Sequence, residues 1–271
     1  MAELSVLMSI YIKEKPEYVD ECFKSLLHQT VKANEWVVVE DGPLTNELYY
    51  VLDQYQRENP GLIKRVPLEK NLGLGLALKA GVPVCSNVLI ARMDTDDIAR
   101  EDRFEIQLRK FEKNPDIDIC GSHIIEFEGT PENILSVRKV PLTHESIVQY
   151  QKTRSAFNHM TVMYKKSAVL KAGNYEHCPL MEDDMLWTRM ILSGANCANL
   201  DDFLVYARTG SAMVARRGGW DYFKKYKLGK DKIRETGFIG VIDYWKALVP
   251  QIAISLMPLG IRRFVFAKLL R

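Results

Sequence analysis

Asp94, Thr95, Asp96 and Asp97 follow directly on the apolar run Val88-Leu89-Ile90-Ala91-Arg92-Met93. A run of that length, rich in Val, Leu and Ile, reads as a central strand. Three carboxylates at the mouth of a sheet repel one another unless a cation joins them. Oxygen ligands at i and i+2 suit a hard divalent ion, Mg²⁺ or Mn²⁺, especially one shared with phosphate oxygens. A plainer reading is a polar loop whose aspartates cap the following helix. Asp41 also ends an apolar run, Trp36-Val37-Val38-Val39, and is followed by Gly42 and Pro43. Its carboxylate could accept the imide N–H of uracil or a ribose hydroxyl, although Asp-Gly-Pro is also ordinary turn chemistry. Glu182-Asp183-Asp184 opens an apolar helical stretch. Acidic residues there complement the helix dipole, and one of them could equally be a general base for a hydroxyl proton.

The elements that would position these groups alternate. Strands are predicted at Leu4–Ser9, Trp36–Val39, Leu62–Val66 and Val88–Met93. Helices are predicted from Pro16, from about Thr45 to Glu58, from Leu72 to Lys79, and from about Asp102 to Lys113. Strand–helix alternation implies right-handed crossovers and a parallel sheet, with ligands beyond the carboxyl ends of its strands. Asp41 and Asp94–Asp97 would then face one crevice. The second half is less regular: Ile117–Cys120 and Thr161–Tyr164 look like strands, Ser167–Ala172 like a short helix.

Composition restricts the function classes. The chain has 271 residues, 47% hydrophobic and 27% charged, which suits a globular α/β domain with a short appendage. Five scattered cysteines without a Cys-x-x-Cys pair argue for reduced thiols and against structural zinc. No signal peptide is visible, so a cytoplasmic location is expected. The five histidines lack metal-ligand spacing; among them His159 merits attention. There is no P-loop, and Gly73-Leu74-Gly75 lacks the third glycine of a dinucleotide fingerprint. The net charge of +2 conceals an asymmetry: residues 216–271 carry 13 Lys+Arg against 4 Asp+Glu, leaving 24 of 37 and 31 of 35 to residues 1–215.

Several segments together carry a resemblance. They are Ser5–Tyr11, Ser25–Thr30, Val37–Gly42, Asn71-Leu72-Gly73, Arg92–Asp97 and Glu182–Trp187, and their order and spacing resemble the family 2 glycosyltransferases over roughly residues 4–215. Within that family the chain most resembles the bacterial branch that builds capsular and exopolysaccharide repeat units, which shares Arg-Arg-Gly-Gly at 216–219. The resemblance implies the GT-A fold, a Rossmann-like, mostly parallel sheet flanked by helices. It implies a nucleotide-sugar donor, usually UDP-linked, a Mn²⁺ or Mg²⁺ ion and inversion at the anomeric carbon. By motif position Ser9, Tyr11, Asp41 and Asn71 would hold the nucleotide. Asp94 and Asp96 would serve ribose and metal, and Asp183 would be the base. Glu182, Asp97 and His159 would be accessory, and Arg208, Arg216 and Arg217 could neutralise the leaving diphosphate or be ordinary surface charge. Two positions depart from the family pattern: Pro43 replaces a serine and Glu101 a proline, neither at the implied metal or base.

Residues 1–215 are therefore expected to form the catalytic domain and 216–271 a basic helical tail. The tail's longest uncharged run, Ala247 to Ile261, is 15 residues, contains Pro250 and Pro258, and is too short to span a bilayer. Phe264 to Leu270 resembles an interfacial amphipathic helix, which predicts peripheral attachment to the inner face of the cell membrane; packing on the body or in a homodimer is the alternative. The acceptor would be a saccharide or a lipid-linked one, and nucleic acid has no role. Two alternatives remain, a sugar nucleotidyltransferase and a nucleotide-sugar-binding protein without catalysis. The first should show a Gly-rich basic first loop, which Ser9-Ile10-Tyr11-Ile12 is not.

Overall fold

The computed structural model describes residues 2–209, 218–258 and 260–262. Four parallel strands form half of one sheet: β1 (Ala2–Ile10), β2 (Ala33–Glu40), β3 (Ile63–Pro67) and β4 (Leu89–Arg92). Their spatial order is β3-β2-β1-β4, so the chain crosses outward twice and then returns to the far side of β1. α1 (Pro16–Leu27), α2 (Asn46–Glu58) and α3 (Leu74–Val84) make the crossovers. The reversal between β1 and β4 opens a crevice at their carboxyl ends, as open α/β sheets do where strand order switches.

β1 and β2 are buried on both faces, which is why they read as continuous apolar runs. Leu4, Val6, Met8 and Ile10 face α1 and α2 together with Trp36 and Val38, whereas Leu7, Val37 and Val39 face α3. Each such side chain contributes about 1.5–3 kcal/mol when fully buried. α3 runs on to Val84 through Pro83, beyond the end expected at Lys79. The tertiary face formed by Leu78 and Val82 outweighs the proline.

The second half is mixed, unlike the first. β5 (Ile98–Ala99) and α4 (Arg103–Lys113) lead into β6 (Ile117–Phe127), which pairs with the edge strand β7 (Ile134–Arg138). α5 (His144–Gln151) and a 3₁₀ turn at His159–Thr161 precede β8 (Met163–Lys165), antiparallel to both β4 and β6. After α6 (Lys166–Lys171) and α7 (Glu182–Leu192), the long β9 (Asn196–Arg208) pairs parallel to β6 and antiparallel to β5. α8 (Trp220–Glu235) and α9 (Val241–Leu256) follow. They dock through a small cluster in which Phe223, Ile233, Tyr244 and Leu248 meet Cys178, Met181 and Met185. No helix among the described residues is long and apolar enough to cross a membrane. All five cysteines are buried and free.

Candidate active site

Parallel pairing sets one side of the crevice. Ser9 lies at the end of β1, and its carbonyl oxygen accepts the Thr95 hydroxyl at 3.4 Å. Tyr11 is partly exposed just beyond, where its carbonyl accepts the Glu14 N–H in a turn. Asp41 follows β2 and is buried, and its two carboxylate oxygens accept the backbone N–H groups of Leu72 (2.6 Å) and Gly73 (3.0 Å). Asn71 donates its side-chain amide to the Asp41 carbonyl at 3.2 Å. Gly42 has φ of +85°, and a Cβ there would lie 2.6 Å from the Asn71 nitrogen. The turn and ligand readings of Asp41 thus coexist: it ties Asn71–Gly73 against β2, and each oxygen keeps a second lone pair.

Asp94, Asp96 and Asp97 place carboxylate oxygens within 4.8 Å of one another. They do not cap the next helix, which starts eight residues on behind Asp102. Burial, then the neighbouring Asp94, pushes the Asp96 carboxyl up to about 6. Burial, then Asp96 and Asp94, raises Asp97 well above the usual range. Asp97 accepts the Arg208 backbone N–H at 2.7 Å, a bond that anchors it to β9. Burial also opposes ionisation of Asp94, but Arg92 and then His159 outweigh it and hold its carboxyl below the ordinary value.

Arg208 is spoken for by the protein. Its guanidinium donates to the carbonyls of Asp96 (3.0 Å) and Gly129 (2.6 Å), pairs with Glu21, and stacks between the rings of Tyr18 and Phe127. It locks the acidic turn rather than reaching toward a leaving group. Arg216 and Arg217, the other two arginines of that expectation, lie outside the described residues.

The antiparallel strand brings a histidine to the same crevice. β8 runs back along β4, with Ala91 opposite Met163, so the turn before it carries His159 to the carboxyl end of β4. His159 Nε2 lies 3.0 Å from Asp94 Oδ2, and Nδ1 lies 3.5 Å from Asp183 Oδ2. Asp183 sits in the first turn of α7; its Oδ1 is buried and has no hydrogen-bond partner among the described residues. Burial raises its pKa, while His159 and Arg92 act in the opposite sense. Glu182 is pushed up to about 7 by burial and then by Asp183. Asp184 is turned away, accepting from the Gln151 side chain at 3.0 Å. Gly75 explains how close the two helix starts come, since a Cβ on it would lie 2.6 Å from the Glu176 carbonyl and 2.9 Å from the Glu182 Cβ.

One central residue escaped the sequence reading. Arg92 is fully buried, forms an ion pair with Asp94, and is held above its ordinary pKa by Asp94 and Asp183 despite its burial. Its Nε and Nη2 have no hydrogen-bond partner among the described residues. A charge inside an otherwise apolar strand was the available signal. As to a metal, the donor set fits a hard divalent ion: three carboxylates converge, and those of Asp96 and Asp97 are both raised by burial and by their acidic neighbours, a repulsion that a cation would relieve.

A family model for glycosyl transferase family 2 matches residues 5–171. The amylovoran biosynthesis glycosyltransferase AmsE of Erwinia amylovora is 41% identical over 268 residues, 97% of this chain and 98% of the relative. An Escherichia coli protein named UDP-Gal:alpha-D-GlcNAc-diphosphoundecaprenol beta-1,3-galactosyltransferase is 36% identical over 269 residues, 99% and 97% of the two chains. Among solved structures, S. aureus TarS 1-349 in complex with UDP-GlcNAc superposes with a TM-score of 0.64 at 18% identity, covering 84% of this chain and 66% of that one. The mannosyltransferase PcManGT from Pyrobaculum calidifontis, in complex with GDP-Man and Mn²⁺, gives 0.63 at 12% identity, covering 96% and 71%. The architecture is accordingly the GT-A fold.

Proposed function

The chain belongs to glycosyl transferase family 2 and is a glycosyltransferase, and on that premise we propose that it inverts the anomeric carbon of a UDP-sugar in cell-surface polysaccharide synthesis. The observation that carries this reading is the alignment of Asp94, His159 and Asp183, which sets the acidic turn beside a buried carboxylate with an unpartnered oxygen. Residues 1–215 are the catalytic unit in this reading and 216–271 an accessory helical segment. Ser9, Tyr11, Asp41 and Asn71 form the nucleoside side, where a spare lone pair on Asp41 would accept the uracil imide. The UDP assignment is supported by the donor in the name of the 36% identical relative. That name also supports a diphosphate-lipid-linked saccharide as acceptor, which would bring the enzyme to the inner face of the membrane.

In the transfer, an acceptor hydroxyl lies against Asp183 Oδ1. As its oxygen bonds to C1, the C1–O bond to the diphosphate breaks and Asp183 takes the hydroxyl proton. A carboxylate raised by burial is a stronger base than an exposed one, and His159 and Arg92 beside it act against that rise. A Mn²⁺ or Mg²⁺ ion on Asp94 and Asp96 would supply Lewis-acid stabilisation of charge on the departing diphosphate. Arg208, through the Asp96 carbonyl and Asp97, holds those ligands in register.

A panel of UDP-, GDP- and dTDP-sugars with Mn²⁺, with and without a synthetic diphosphate-lipid-linked saccharide, tests the proposal. Acceptor-dependent release of UDP with an inverted glycoside is the expected result. Binding of donors without any release of nucleoside diphosphate would return the protein to the non-catalytic class, and a preference for GDP would remove the role given to Asp41.

A further inference from the structure

α9 turns an apolar face to solvent. Tyr244, Ala247, Leu248 and Ser255 are buried on its inner side. On its outer side Val241, Ile242, Trp245, Val249 and Leu256 are between 55% and 71% exposed, with Pro250 and Ala253 exposed between them. The spacing 242, 245, 249, 253, 256 follows one side of a helix, a stripe about 20 Å long at 1.5 Å per residue. Scattered exposed apolar residues are ordinary; a continuous stripe of large ones marks an interaction surface. No carboxylate is exposed on α9; the sole exposed charge there is Lys246.

Charge and length select the occupant. Residues 218–262 carry eight Lys+Arg against four Asp+Glu, and Lys224, Lys225 and Lys227 on α8 are exposed. The helix is too short to cross a bilayer. An exposed tryptophan among aliphatic side chains, with Lys246 next to it in the chain, fits the boundary between headgroups and acyl chains. We propose that the outer face of α9, centred on Ile242, Trp245 and Val249, is a docking surface for an anionic lipid bilayer. This sharpens the lipid-linked acceptor reading and rests on it. It also moves the membrane contact from Phe264–Leu270, which lies outside the described residues, to a helix already folded against the body. A preformed face has no ordering cost to meet at the membrane.

Flotation with vesicles of phosphatidylglycerol and phosphatidylcholine, and of phosphatidylcholine alone, at low and high salt tests this. Wild-type protein is expected to float with the anionic vesicles at low salt. Ile242→Glu/Trp245→Glu is expected to lose at least roughly tenfold in partitioning, while binding UDP-sugar as wild type does. Trp245→Phe should remove most of the fluorescence quenching produced by brominated lipid. Phe264→Asp/Phe266→Asp separates the two segments: if it abolishes flotation and the α9 variant does not, the proposal is overturned. It is equally overturned if wild type fails to float, or if the α9 variant merely converts a dimer to a monomer. Transfer to a detergent-dispersed lipid acceptor without flotation sinks the docking surface alone. Flotation without transfer to that acceptor sinks the acceptor reading and leaves the surface standing.

Discussion

Replacing Arg92 by Met in the metal-free protein removes the fully buried cation that pairs with Asp94. Arg92 is 1% exposed and pairs with Asp94, which is 24% exposed. A pair at ~4 Å in a partly screened interior is worth ~4 kcal/mol, and deleting one partner of a buried pair commonly costs about 3–5 kcal/mol. Partial exposure of Asp94, and relief from burying a guanidinium, place the expectation near the lower end, at ~3 kcal/mol at pH 8. The pH dependence has a definite sign. In wild type Asp94 is held below its ordinary value, so its contribution is present above the unfolded carboxyl pKa and fades as pH falls. Without Arg92 that carboxyl rises, the folded variant binds a proton more tightly than the unfolded chain, and variant stability falls as pH rises. Urea unfolding of both proteins in chelator at pH 5.5 and pH 8 reads both effects. A loss under ~1 kcal/mol at pH 8, or one that is larger at pH 5.5, would refute the assignment of Arg92 as the counter-charge.

Three further outcomes follow from the site. Asp183→Asn should lower turnover by more than tenfold, at least about 1.4 kcal/mol in the barrier, with donor affinity by calorimetry nearly unchanged; a smaller loss excludes Asp183 as the base. Mn²⁺ affinity should increase as pH rises through about 6, where Asp96 gives up its proton, and calorimetry showing a flat profile from pH 5 to 7.5 would contradict this. Gly75→Ala forces a methyl to within 2.6 Å of the Glu176 carbonyl, so a cost of about 1–3 kcal/mol and a displaced Glu182 are expected, read by thermal unfolding together with turnover.

The first half of the fold was legible because β1 and β2 are buried on two faces and each crossover helix has one apolar side. α1 begins at Pro16 as the spacing of Val19, Cys22, Phe23 and Leu26 requires. β9 was not legible, since Asp201 and Asp202 interrupt its alternation and its pairing with β6 shifts register around His123. β7 carries exposed Ile134 and Val137 on an edge, so its pattern points to no core. At the site, the acidic clusters and Asp41 could be read from strand ends. The contact between His159 and two aspartates could not, because it depends on the antiparallel register of β8, which no local pattern encodes. From its sequence position Arg208 could neutralise a leaving group or be ordinary surface charge; only the fold shows its guanidinium bonded to Asp96, Gly129 and Glu21.

The placement of His159 has a consequence for how this chain can be recombined. The imidazole belongs to the segment that carries the acidic turn, within residues 5–171 of the matched family region, whereas the second carboxylate near it, that of Asp183, lies beyond that region. Donor-side and acceptor-side segments therefore do not behave as interchangeable modules. A hybrid spliced between residues 171 and 182 would inherit the ring from one parent and the carboxylate it faces from another. Hybrids that keep this contact in register would be the ones to retain transfer, however well each half folds around its own sugar.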